Sequence, residues 1–196
     1  MRRIVFLLAF LNLASFVYAE NLPQPSGWVN DFAGVISQEY KDKIGSLIEE
    51  LEQKTSAEIA VVTVDSISPY GEIEYARLLF DNWKPGKKGK DNGVLVLLAV
   101  KERRWRIETG YGVEGLLPDS TCGEIGRNYM VPYFKDAKYS EGLYNGLLKI
   151  AQILSAGTIG NQPVTAEANN SNNSDWLVFL IIIGFFIFSS ILSVLR

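Results

Sequence analysis

Between Trp83 and Leu98 the chain reads WKPGKKGKDNGVLVLL, which sets four lysines, three glycines and an Asp91-Asn92-Gly93 turn directly before a run of strand-forming residues. Three kinds of chemistry suit such a stretch: a phosphate cradle, a cation site, or none. A P-loop has the form G-x-x-x-x-G-K-[ST] and leads into a helix whose N-terminus receives the anion. Here Gly86 and Gly89 stand only three apart, Asp91 takes the place of the hydroxyl residue, and the stretch enters a strand. The nucleotide cradle is therefore excluded. An EF-hand is excluded too, because the carboxylates at alternate positions and the distal bidentate glutamate are missing. Oxygen ligands remain: Asp91 and Asn92 offer them on the turn, and Asp65 closes the apolar run AEIAVVTVDS. Ca2+ or Mg2+ prefers such oxygens, and open α/β sheets gather ligands at the carboxyl ends of their strands. The same residues also suit an ordinary turn and an ordinary strand-end cap.

Lys84, Lys87, Lys88 and Lys90 form one basic cluster, and Lys101, Arg103, Arg104 and Arg106 a second. Each suits a phosphate or an anionic lipid headgroup, or a solvated loop and hairpin whose charge is screened by salt. All 22 acidic residues lie within 20–175, whereas Arg2, Arg3 and Arg196 of the 19 basic ones lie outside it, so this part is acidic by six charges. That balance argues against generic nucleic-acid binding. The chain has no histidine, which removes His-based acid/base catalysis, the usual serine and cysteine triads, and zinc sites that need imidazole. Cys122 is the single cysteine, so no internal disulfide forms.

The elements that must position these groups follow from periodicity. Tyr40, Ile44, Leu47, Ile48 and Leu51 fall on one face of a helix over 37–54, with Ser37 as its expected N-cap. Residues 57–66 predict a buried strand, and Ile73, Ala76, Leu79, Phe80 and Trp83 repeat at helical spacing. Residues 93–100 predict a second strand and 104–110 a third, joined as a hairpin through Lys101–Arg103. Asp119 is expected to cap a helix to about Tyr129 or Pro132, and Ser140 a last helix presenting Leu143, Leu147, Ile150 and Leu154 inward. Strands separated by helices predict an α/β fold, a three-layer α/β/α sandwich around a small mixed sheet.

Both ends differ in kind. Residues 1–19 pair two arginines with an apolar core and a Val17-Tyr18-Ala19 site, which predicts a secretory signal peptide ahead of a domain over 20–154. Residues 155–175, rich in Asn and Ser, predict a flexible linker. The uncharged stretch 176–195 predicts a C-terminal transmembrane helix, with Arg196 on the cytoplasmic side and the domain outside, in the periplasm or extracellular space.

The segment ETGYGVEGLLPDS, Glu108–Ser120, packs three glycines around Tyr111 after a strand. Together with VNDFAGVIS, GKKGKDNGVLVLLA and VPYFKDAKYSEGL, in that order along the chain, it resembles the TPM-domain family over about 27–154. That family includes a thylakoid-lumen acid phosphatase implicated in photosystem repair and many bacterial envelope proteins. Lys84-Pro85 and Cys122-Gly123 depart from its pattern. The resemblance implies the sandwich fold, a membrane helix after the domain and, in some members, divalent-cation binding by loop aspartates, matched here by Asp31, Asp65, Asp91 and Asp119.

Two functions are then expected. One is a membrane-anchored extracytoplasmic module that acts with another membrane or envelope protein, with Ca2+ or Mg2+ ordering the Asp91 and Gly110–Asp119 loops. The other is a metal-assisted acid phosphatase: Asp65, Asp91 and Asp119 hold the metal, Asp65 is the acid/base or nucleophile, and Lys88 or Arg104 steadies the phosphoryl charge. A ligand-free spacer is the third reading. In both, the cation site requires Asp65, Asp91 and Asp119 to meet at one rim of the sheet; without it only a tethered globular body remains.

Overall fold

In the computed structural model, which describes residues 22–160, a four-stranded mixed sheet forms the middle layer. Its strands are β1 (Val29–Asp31), β2 (Glu58–Val64), β3 (Gly93–Ala99) and β4 (Arg104–Thr109), neighbours in that order. The first three run parallel, and β4 returns antiparallel to β3. β2 and β3 take the centre because they are continuous apolar runs that can be covered on both faces. Every residue from Ile59 to Val64 and from Gly93 to Ala99 is buried.

Helices cover each face. Ile59, Val61, Val94, Val96 and Leu98 pack with Ile44, Ile48 and Leu51 of α1 (Gln38–Thr55) and with Leu143, Leu147 and Ile150 of the last helix, Tyr139–Gly160. The alternate residues Val62, Val64, Leu95, Leu97 and Ala99 meet Tyr75, Ala76 and Leu79 of α2 (Glu72–Trp83). Period two along the strands thus sorts one apolar run into two cores. Leu79 has no exposed surface, and its removal from water contributes roughly 1.5–3 kcal/mol.

After β4 come α3 (Tyr111–Glu114), α4 (Asp119–Ile125), a π-helical turn (Gly126–Met130), α5 (Val131–Lys135) and α6 (Tyr139–Gly160). Gly112 is required here by proximity: its N–H donates to the Asp91 carbonyl at 2.9 Å, and a Cβ on it would overlap the Lys90 carbonyl oxygen.

Several local expectations are corrected. β1 was not anticipated, since Asn30 and Asp31 are poor strand formers. It forms because Val29, Asn30 and Asp31 pair with Val61, Val62 and Thr63, and because buried Asn30 accepts from Ser26 N at 2.7 Å and donates to Gly27 O at 2.8 Å. Ser37 stands at the N-cap of α1, but its side chain makes no capping bond. Ser140 lies inside α6, where its Oγ accepts from Ser37 N at 3.0 Å and donates to Val35 O at 3.2 Å. It fastens a loop instead of capping a helix. Asp119 is the first residue of α4 and not its cap, a place held by Pro118. Tyr75 shares the buried stripe of α2, while Ile73 is 59% exposed.

Helix α6 continues to Gly160, past the expected start of the linker. Among the described residues no helix is long and apolar enough to cross a membrane. The expected signal peptide, the linker beyond Gly160 and the expected span at 176–195 lie outside the described residues.

Candidate binding site

The lysine-rich stretch is fastened down at the end of the sheet where β2 and β3 begin. Lys87 Nζ donates to Glu52 Oε1 at 2.5 Å and Glu58 Oε1 at 2.6 Å; the bond to Glu52 and then that to Glu58 raise its pKa above the ordinary lysine value. The Gly86 N–H donates to Glu58 Oε2 at 2.8 Å, and Lys87 N to Asn92 Oδ1 at 2.8 Å. Asn92 Nδ2 closes the loop onto Ser56 O at 2.8 Å. Carboxylates of the protein itself therefore already engage the Gly86 amide and the Lys87 ammonium. Lys88 is exposed at this end, and so is Asp91.

Asp65 lies at the other end. Val64 pairs with Ala99 and Glu58 with Gly93, so Asp65, after Val64, and Asp91, before Gly93, are separated by the full length of the strands, roughly 20 Å at about 3.3 Å per residue. Asp119 stands at neither end. Its Oδ1 accepts from Arg106 Nη2 at 2.9 Å, and Arg106 pairs with Leu97 in the middle of β3. The expected convergence of Asp65, Asp91 and Asp119 is thus not found: parallel β2 and β3 send their first and last residues to opposite rims. The arrangement does not fit a cation shared by these three. Among the described residues no group of three or more Asp, Glu, Cys or His is placed to hold a metal ion. Lys88 and Arg104 are likewise at opposite ends, and Arg104 Nη1 meets Glu72 Oε1 at 3.6 Å and makes no ion pair with Asp65. Asp31 is inside, with a side chain 2% exposed.

A different cluster does assemble, around the β3–β4 turn. Lys101 N donates to Asp65 O at 2.9 Å, and Ser66 Oγ to Glu102 Oε1 at 2.6 Å, which pins the turn against the end of β2. Arg103 at the end of the β3–β4 turn and the consecutive residues Arg104 to Ile107 of β4 line a cleft of about 240 Å3, closed on its sides by Glu72 and Ile73 of α2 and by Asp119, Cys122 and Gly123 of α4. Arg106 is the half-buried member: burial lowers its pKa, but Glu108 and Asp119 outweigh that and raise it. Arg103 and Arg104 are exposed. Cys122 also faces the cleft, yet burial and the Asp119 charge push its thiol up to about 11, so it is no nucleophile at neutral pH.

Arg103 borders a second cleft of about 380 Å3 on the other face, lined by Leu98, Val100, Trp105, Val131, Phe134 and Tyr139. The Trp105 ring occupies the place a Cβ would take on Gly126. This close seat is possible only at glycine, and the wider π turn that begins there leads into Val131 and Phe134. Alternation in RWRIET indicated that Arg104 and Arg106 share a face; nothing local in the sequence indicated that Phe134 and Tyr139 close on Trp105.

A sequence model of the TPM domain matches residues 29–153. A chloroplastic UPF0603 protein of Oryza sativa is 24% identical over 130 residues, which cover 66% of this chain and 44% of that protein, so the chain spans less than half the length of this relative. Among solved structures, the N-terminal domain of a protein from P. gingivalis superposes with a TM-score of 0.63 at 33% identity, covering 67% of this chain and 84% of that one. The BA42 protein of Bizionia argentinensis superposes with a TM-score of 0.54 at 26% identity, covering 62% and 82%. With the match over 29–153 and the four-stranded sheet it encloses, the chain belongs to the TPM domain family.

Proposed function

We propose that this TPM domain is a membrane-tethered, extracytoplasmic binding module that takes up an acidic segment of another membrane or envelope protein along β4. The observation that carries this reading is the cleft in which Arg103 of the β3–β4 turn and Arg104 and Arg106 of β4 lie together beside the exposed Ile73. Arg106 is already answered by Glu108 and Asp119, so the exposed Arg103 and the loosely paired Arg104, 3.6 Å from Glu72, are the guanidinium groups that attract a partner's carboxylates. Asp65 and Asp91 stand too far apart to act as one hydrolytic centre. Ca2+ or Mg2+ enters this reading only through a single exposed carboxylate, Asp65 or Asp91. The signal peptide and the 176–195 span read from the sequence supply the location.

The test is fluorescence anisotropy of a labelled Glu/Asp-rich peptide with the full-length chain in zwitterionic nanodiscs. Saturable binding, weakened several-fold by Arg104→Gln and by raised salt, supports the reading. Binding to phosphatidylserine vesicles with no peptide binding would move the assignment to a lipid headgroup. Turnover of an aryl phosphate, abolished by Asp65→Asn, would replace it with the phosphatase.

A further inference from the structure

The cleft on the other side of Arg103 differs in character from the arginine groove. Leu98, Val100, Trp105, Val131, Phe134 and Tyr139 make it apolar and aromatic, and its volume of about 380 Å3 suits one large side chain and its backbone. Arg103 and Lys135 stand at its rim. Both are exposed, and among the described residues neither makes an ion pair. The walls are held in place beforehand: Arg103 and Ala137, which both line the cleft, adopt φ of 53° and 57°. Such left-handed backbone is strained in residues with a Cβ and persists where the surroundings fix it. Here Arg103 N donates to Val100 O at 3.2 Å and Ala137 N to Phe134 O at 3.1 Å.

An apolar floor under two unpaired cations is complementary to an apolar group that ends in a carboxylate. We infer that this cleft binds the C-terminal residue of a polypeptide, an apolar side chain seated against Trp105 and Phe134 with its free α-carboxylate between Arg103 and Lys135. A polypeptide end is favoured over a free small carboxylate because Arg103 lines both clefts. One extended chain can place acidic residues in the arginine groove and its terminus in the apolar cleft, whereas a small molecule fills only one. The inference rests on the proposed function and adds which part of the partner is read.

Two labelled peptides of identical acidic sequence ending in leucine, one with a free carboxylate and one amidated, are titrated against the full-length chain in zwitterionic nanodiscs. The free acid is expected to bind at least ten-fold more tightly. Lys135→Gln, a surface change checked by an unchanged thermal melt, is expected to reduce that ratio to near one, and Arg103→Gln to weaken both peptides. Equal binding of acid and amide overturns the inference and leaves the proposed function standing. Binding of neither peptide overturns both. Displacement of the free-acid peptide by octanoate at equal affinity assigns the cleft to a small carboxylate and overturns the polypeptide terminus.

Discussion

Arg106 Nη2 lies 2.9 Å from Asp119 Oδ1 and 2.9 Å from Glu108 Oε2, so one guanidinium ties the start of α4 to the middle of β4. The partners are unequal. Asp119 has a side chain 75% exposed, against 21% for Arg106 and 19% for Glu108. An exposed partner contributes little, about 0–1 kcal/mol, while loss of Arg106 strands a half-buried carboxylate. Asp119→Asn is expected to change stability by under about 1 kcal/mol, and Arg106→Leu to cost roughly 1–3 kcal/mol. Urea denaturation of the two variants checks the ranking.

Asp31 is the carboxylate most engaged by the fold. Thr63 Oγ1 donates to it at 2.6 Å, Val35 N at 2.9 Å and Ile36 N at 3.1 Å, and Lys41 pairs with it at 2.9 Å. Burial raises its pKa, yet the bonds from Thr63, Lys41, Ile36 and Val35 prevail and hold it below the ordinary aspartate value. Its stabilisation is therefore complete above the unfolded value of about 3.9 and is lost as pH falls through the lower folded value. Asp31→Asn is expected to cost roughly 2–4 kcal/mol at pH 7 and to flatten the acid limb of stability against pH. Chemical denaturation from neutral pH down through the acid limb reads both effects.

The three glycines of GYGVEG are not equivalent. Gly112 meets a backbone carbonyl that cannot move aside, whereas nothing lies within 4 Å of a Cβ on Gly115, whose φ is −62°. Gly112→Ala is expected to destabilise by roughly 3 kcal/mol or more, as overpacking against backbone does. Gly115→Ala should fall within about 1 kcal/mol of the native chain. Thermal melts of the two alanine variants separate a glycine needed for space from one that is not.

Much of this architecture was legible in sequence, for physical reasons that also mark where legibility ends. β2, β3, α1 and the β3–β4 hairpin each bury an unbroken or periodic apolar pattern, and a local pattern is enough to specify them. β1 depends on its pairing with β2 and on the bond that Thr63 donates to Asp31, and such long-range bonds leave no periodic trace. The candidate site fared less well. Asp65 and Asp91 look alike as carboxylates beside strands, but one follows a strand and the other precedes its parallel neighbour. Parallel pairing therefore sends them to opposite rims, and only Asp65 stands at a carboxyl end. Arg104, expected to steady a phosphoryl charge, lines a cleft beside Glu72 and far from Lys88. Trp105, Phe134 and Tyr139 come from separate elements and meet only after packing.

Cys122 is 2% exposed, and its thiol is pushed up to about 11. The native protein is expected to react with iodoacetamide at neutral pH far more slowly than a free thiol does, with full reactivity recovered in urea. Fast labelling in the native state would show that α4 opens readily from the edge of β4.

The most direct test of the central claim, that the working surface is the β3–β4 turn with its arginines and not a shared carboxylate centre, is backbone chemical-shift mapping of the full-length chain in nanodiscs. An acidic peptide and Ca2+ are added separately. The account predicts that the peptide shifts resonances over 103–107 and 119–123, while Ca2+ fails to shift Asp65, Asp91 and Asp119 with one common affinity. Peptide shifts confined to Lys88, Asp91 and Tyr111, or a joint Ca2+ response of the three aspartates, would contradict it.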